Sequence, residues 1–206
     1  MTEATKQHWE NVYEVKAPDD VSWYQAVPTR SMSLIRATEI PVEAPLIDVG
    51  GGSSTLVDIL CNSGYSDVTI LDVSAKALEK ARQRLGAKAD AVSWIEADIT
   101  EFEPLRRYYL WHDRALFHFM VDEARIRAYL RALRTALVPR GHFIVSTFGP
   151  DGPDHCSGLN VQRYSVEQLA NLLEPDFELR SFDIEDHTTP TGTVQQFLYS
   201  RWQAND

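Results

Sequence analysis

A chain of 206 residues is long enough for one α/β core and too short for two domains of ordinary size. Its 44% hydrophobic and 24% charged residues are those of a globular protein, and no apolar run approaches membrane-spanning length. A net charge of −10 lacks the basic footprint that nucleic-acid binding requires and permits a cationic or a small neutral partner.

The N-terminus, Met1 to Gln7, has no apolar signal region, so the expected location is cytoplasmic. Cys61 and Cys156 are too few for a disulfide framework and read as free thiols. Trp9 and Tyr13 stand at helical i,i+4 spacing before a break at Ala17-Pro-Asp-Asp20. Ser22-Trp-Tyr24, a helix around Ser31 to Thr38 and the linker Pro41 to Pro45 follow.

From Pro45 strands and helices alternate. The apolar stretch Pro45-Leu-Ile-Asp48-Val stops at Gly50-Gly-Gly52-Ser-Ser54 and resumes at Thr55-Leu-Val-Asp-Ile-Leu60, the pattern of strand, tight turn and helix. Val68 to Asp72 is the next strand. Ser74 caps a helix with Leu78, Ala81 and Leu85 on one face, stopped by Gly86. Ala91 to Ile95 and Arg107 to Trp111 are strands, and Asp122 to Leu137 is an amphipathic helix with Arg125, Arg127, Arg131 and Arg134 turned mainly to solvent. Pro139-Arg-Gly141 reads as a turn, His142 to Thr147 as a buried strand, and Ser165-Val-Glu-Gln168 as a capping box. Phe177 to Glu185 and Thr193 to Trp202 form a hairpin through Thr189-Pro-Thr-Gly192. The expected fold is α/β, a doubly wound and mostly parallel sheet with helices on both faces, ending in an antiparallel hairpin.

Acids terminate successive strands at Asp48, Asp72, Asp98 and Asp113, and strand ends in such a sheet line one crevice. An acid in a buried strand is costly unless it meets a cation, so Asp48 predicts a ligand with positive charge beside a nucleoside. S-adenosylmethionine (SAM) is such a ligand. Asp72 can accept from both ribose hydroxyls, and Asp98 from the exocyclic amine of adenine. An NAD-binding fold also puts an acid at the position of Asp72. However, Gly50-x-Gly52-x-x-Thr55 lacks the third glycine of that fingerprint and pyrophosphate would be repelled by Asp48. His112, His118, His155, Cys156 and His187 match no compact metal-ligand spacing, so no metal is expected.

Four segments in order, Asp48 to Ser54, Thr69 to Ser74, Trp94 to Ile99 and Leu137 to Gly141, resemble the signature set of class I SAM-dependent methyltransferases. Ser54 replaces the usual third glycine, and Gly51 stands where cysteine or alanine is common. The resemblance implies a seven-stranded sheet with its last strand antiparallel. In it, Asp48 and Gly50, Gly51 and Gly52 hold the methionine end, Asp72 with Val73 the ribose, and Asp98 with Ile99 the adenine. It also implies a lid from residues 1–44, including Tyr13 and Trp23, over a SAM-binding core at 45–147, with 148–206 on the substrate side.

Asp113, Arg114 and His118 follow the fourth strand beside the expected methyl position, with His112 on the cofactor side. Asp113 can orient or deprotonate an amine, Arg114 can steady a thiolate or carboxylate, and the two can instead pair as a structural bridge. Cys156, in the loop 150–158, is expected to overhang the crevice near the acceptor. His112-Asp-Arg-Ala-Leu-Phe117 resembles two branches of the family. One methylates protein lysines and shares a Trp-x-x-x-Tyr opening; the other methylates small thiols and chalcogen compounds. A short chain without an added substrate domain favours a small acceptor, and the acidic surface suits a lysine-bearing protein. The reading from another class is a SAM-binding module without turnover.

Overall fold

The computed structural model describes residues 3–17 and 19–206; Pro18, in the expected break at 17–20, and the first two residues lie outside them. Two helices, α1 (Glu3–Val15) and α2 (Thr29–Arg36), precede the sheet. Then come β1 (Leu46–Val49), α3 (Leu56–Asn62), β2 (Val68–Asp72), α4 (Ala75–Leu85), β3 (Val92–Glu96), β4 (Tyr108–Arg114), α5 (Glu123–Ala136) and β5 (Leu137–Phe148). A two-residue hairpin, β6 (His155–Cys156) and β7 (Leu159–Asn160), leads to α6 (Val166–Leu173), and β8 (Phe177–Thr188) and β9 (Val194–Ala204) close the chain.

Seven strands form one sheet in the order β3-β2-β1-β4-β5-β9-β8. β1 to β5 run parallel, and β9 pairs antiparallel with both β5 and β8. Because side chains alternate across a strand, the sheet feeds two cores. Ile47, Val49, Trp111, Phe143 and Val145 pack with Tyr129 and Leu133 of α5, while Leu46, Leu110 and Ile144 pack with α2, α3 and α4. The order reverses between β1 and β4, so the crevice opens at the carboxyl ends of those strands.

Local chemistry sets the ends of the elements. Ser74 accepts from the Ala77 amide, Asp122 from the Arg125 amide, and Ser165 and Gln168 make both bonds of a capping box. Two expectations change. β4 continues three residues beyond Trp111 because Arg114 still pairs with Ser146 of β5. The expected turn at Pro139-Arg-Gly141 is instead a bulge inside β5: Leu137 faces Tyr108 and His142 faces Leu110, leaving the residues between to loop out with Arg140 at φ +59°. Among the described residues no helix is long and apolar enough to cross a membrane.

Candidate active site

The turn after β1 brings backbone close to two carboxylates. A Cβ on Gly51 would lie 2.7 Å from Asp48 Oδ2, and one on Gly52, whose φ is +46°, would lie 2.8 Å from the Tyr13 hydroxyl and 3.0 Å from Asp72 Oδ2. Only glycine fits this cradle. Ser54, in place of the third glycine, accepts from the Leu56 amide at the start of α3.

Asp48 is buried and meets a partner from its own sheet. His112 Nδ1 lies 2.6 Å from Asp48 Oδ1, and His112 Nε2 lies 2.9 Å from Ser31 Oγ of α2. Asp48 accepts, so Nδ1 carries the proton that joins them. Asp72, ending β2, accepts from the Ser74 amide at 2.8 Å. Burial, with the charge of Asp48 adding to it, pushes its carboxyl up to about 7. Asp98 Oδ1 takes the amide and hydroxyl of Thr100 at 2.8 and 2.9 Å.

A cavity of about 210 Å³ runs along these strand ends, lined by Asp72 and Val73 after β2, by Ala97 and Ile99 after β3, and by Arg114 to Leu116 after β4. Helix α1 roofs it. Tyr13 is 5% exposed, and Trp9 meets Trp23 and Phe119 edge-on at 5.8 and 5.2 Å. The roof is clasped at its outer side. Glu10 accepts from the Ala75 and Lys76 amides at the start of α4 (2.6 and 3.4 Å), and Glu14 meets Lys76 at 2.7 Å. A smaller recess beside it is lined by Asp48, Gly50, Gly51, His112, Ser31 and Arg114.

Arg114 lines both spaces. Its Nε donates to Tyr199 Oη (2.9 Å), its Nη1 to the Trp23 carbonyl (2.7 Å), and its guanidinium lies 5.1 Å from the centre of the Phe197 ring. The alternative of a bridge between Arg114 and Asp113 does not hold, since strand alternation sends them to opposite faces.

Asp113 requires correction. It faces α5, fully buried, where it takes the Leu116 and Phe117 amides at 3.0 and 3.2 Å and the Tyr129 hydroxyl at 2.6 Å. It therefore shapes the loop after β4 from beneath; of the other expected strand-end acids, Asp72 lines the main cavity, Asp48 the recess beside it, and Asp98 lines neither. His118 is corrected too. It is 0% exposed, with Phe119 edge-on and Phe148 tilted against its ring, and Nδ1 accepting from the Phe148 amide at 3.3 Å. Burial drives its pKa down to about 3, so it stays neutral and has no access to an acceptor.

Cys156 does not reach the cavity either. It packs with Phe148, Phe197 and Tyr199, and burial pushes its thiol up to about 11; its hairpin presents Leu159 and Asn160 to the cavity instead. Among the described residues no three His, Cys, Asp or Glu side chains gather as metal ligands. His187 bonds the Ser22 carbonyl at 2.8 Å. Sequence reasoning missed Ser31, Glu10 and Arg125. Arg125 was expected in solvent but is half-buried and lines the cavity. A polar residue on the buried face of a short helix was the available signal for Ser31; nothing in the sequence marked the other two.

The cradle that only glycine fits and the ordered strand-end acids suit SAM. Together with this sheet order they define the class: a SAM-dependent methyltransferase of the seven-stranded, Rossmann-like type. Residues 46–141, 96 of the 206, match the family model described as a methyltransferase domain. It is 24% identical over 192 residues to EEF1A lysine methyltransferase 2 of Danio rerio, covering 85% of this chain and 76% of that protein. It is 33% identical over 107 residues to malonyl-[acyl-carrier protein] O-methyltransferase of Anoxybacillus flavithermus (strain DSM 21510 / WK1), covering 46% of this chain and 39% of that protein. The crystal structure of the N-methyltransferase NodS from Bradyrhizobium japonicum WM9 in complex with S-adenosyl-L-homocysteine (SAH) superposes with a TM-score of 0.74. At 16% identity it covers 96% of this chain and 98% of that one.

Proposed function

We propose that this enzyme methylates a small-molecule nucleophile, a thiol, a chalcogen compound or an amine, inside the space roofed by α1. In this reading Asp72 and Val73 hold the ribose of SAM, Asp98 and Ile99 its adenine, and Gly50 to Gly52 its methionine end. Asp48, steadied by His112 and Ser31, takes the methionine ammonium. Residues 1–44 act as the lid, 45–147 as the donor-binding core and 148–206 as the acceptor side. Cys61 and Cys156, both free thiols, support a reducing, cytoplasmic setting.

When bound, SAM would supply a methyl group activated by its sulfonium, taken by the lone pair of an acceptor that has given up its proton before it is enclosed, while the carbon–sulfur bonding pair returns to sulfur. What the chain contributes is alignment and a dry enclosure. Arg114, fixed by Tyr199 and the Trp23 carbonyl, stands where both spaces meet and favours an anionic nucleophile such as a thiolate. Trp9, Trp23 and Phe119 exclude water from that junction.

The observation that carries this reading is the clasped aromatic roof, which suits an acceptor small enough to be enclosed. A protein-lysine acceptor is the second reading, favoured by the likeness to a lysine methyltransferase and by the net charge of −10. The test is calorimetric titration with SAH, using NADH as a control, followed by measurement of SAH formation with thiols, amines and lysine-rich proteins. We expect micromolar SAH binding, none of NADH, and turnover of small thiols or amines. Turnover of the proteins alone would transfer the assignment to lysine, and binding without any turnover would make the chain a SAM-binding module.

A further inference from the structure

Three charged side chains line the main cavity: Asp72, Arg114 and Arg125. Asp72 is assigned to the donor, and Arg114 spends Nε and Nη1 on Tyr199 and Trp23. Arg125 spends nothing. Among the described residues its guanidinium has no ion-pair partner, and its Nε is buried without a hydrogen bond.

The other arginines of α5 sharpen the contrast. Arg127, exposed, pairs with Glu123 one turn earlier, and Arg134, exposed, pairs with Asp176 at 2.6 Å. This acidic chain therefore supplies carboxylates to two of the three surface arginines of the helix, leaves the third, Arg131, to solvent, and supplies none to the half-buried one. A guanidinium cannot shed its proton to escape burial, so its buried Nε–H calls for an acceptor from outside the chain. The surroundings limit what that is. Phe119, Met120, Val121 and Leu159 are apolar, and Asn160 offers one neutral polar group. A carboxylate matches the planar fork of a guanidinium, whereas an ammonium would be repelled by two arginines in one cavity.

We propose that Arg125 binds a carboxylate on the methyl acceptor, which makes the acceptor an anionic small molecule with an apolar body. The proposal rests on the small-acceptor reading above and adds the charge that the acceptor carries. It gives α5 a task besides covering the sheet: its first turn sets substrate specificity.

The test uses three thiols of one shape: 4-mercaptobenzoate, 4-(hydroxymethyl)thiophenol and 4-(aminomethyl)thiophenol. SAH-saturated protein is titrated with each by calorimetry, in wild type, Arg125→Met and Arg125→Lys, and SAH affinity is measured in all three proteins. In wild type the benzoate should bind at least tenfold tighter than the alcohol, with the amine weakest. Arg125→Met should bring the benzoate to the level of the alcohol, Arg125→Lys should keep part of the preference, and SAH affinity should stay within twofold throughout. Equal binding of the three thiols by wild type overturns the proposal, as does a preference that survives Arg125→Met. A fall in SAH affinity in Arg125→Met also overturns it, by assigning the arginine to the donor. Turnover is read separately: charge-selective binding that Arg125→Met abolishes, with no methyl transfer to any thiol, supports the carboxylate site and removes the thiol acceptor.

Discussion

Asp72 is buried beneath α1, and its carboxyl titrates near 7 instead of its ordinary 3.8 because burial penalises the charged form. In the proposed assignment of Asp72 to the ribose, the two hydroxyls need an ionised carboxylate to accept from, so below pH 7 the protein must release a proton to bind the donor. SAH affinity should therefore rise with pH through this range and level off above it. At pH 6 about one protein in ten has Asp72 ionised, which makes binding about tenfold weaker than on the plateau, or about 1.4 kcal/mol. A carboxyl at 3.8 would give a flat line from pH 5.5 to 8. Calorimetric Kd values across that range decide the matter, with Asp72→Asn as the control for every other titrating group. A flat wild-type profile, or a slope that persists in Asp72→Asn, would refute the reasoning. The same shift has a consequence without ligand. An acid whose folded pKa exceeds its unfolded one costs stability as pH rises from about 4 to 7, and saturating SAH should offset that loss.

Tyr129→Phe removes the acceptor of the buried Trp111 Nε1–H (2.9 Å) and the hydroxyl that donates to Asp113 (2.6 Å). An orphaned buried N–H and a lost bond to a charged group together should cost about 3 kcal/mol. In denaturant unfolding this appears as a lower midpoint, or in heat as a fall of about 6–12 °C; a loss under about 1 kcal/mol would return Asp113 to candidacy for the crevice. Glu10→Ala should release the clasp at α4 and raise the SAH dissociation rate several-fold in stopped-flow, while Tm changes by less than about 2 °C, because an exposed cap contributes little to global stability. An unchanged dissociation rate would mean that α1 holds the roof by its aromatic contacts alone.

Strand alternation separates what was legible in the sequence from what was not. Asp48 and Asp72 lie in runs whose ends are marked by glycine and by a serine cap, so their place at the crevice follows from local pattern. Asp113 is two residues beyond the last clearly apolar position of its strand, and its face depends on how far β4 continues beside β5. That pairing is a long-range fact, and a one-residue difference in parity exchanged the carboxylate for the guanidinium of Arg114. His118 was misplaced for a related reason: a tight turn after the loop folds it under Phe148. Arg125 was assigned to solvent by its helical spacing, but the first turn of α5 abuts the cavity, and periodicity within one helix carries no information about what faces its end. The hairpin, the capping box and the helix after β2 rest on neighbouring residues and were readable.

Arg114 is held at one side by the Trp23 carbonyl and at the other by the Tyr199 hydroxyl, contacts that join nearly opposite ends of the chain. During synthesis at about 5–20 residues per second, Tyr199 follows Phe119, the last residue of β4 and the roof to be made, by roughly 4–16 s. Throughout that interval β4 and the aromatic roof already exist while the group that fixes the guanidinium does not. The acceptor end of the site thus becomes competent only as β9 slides in beside β5, and a nascent chain could acquire its donor cradle well before it can use it.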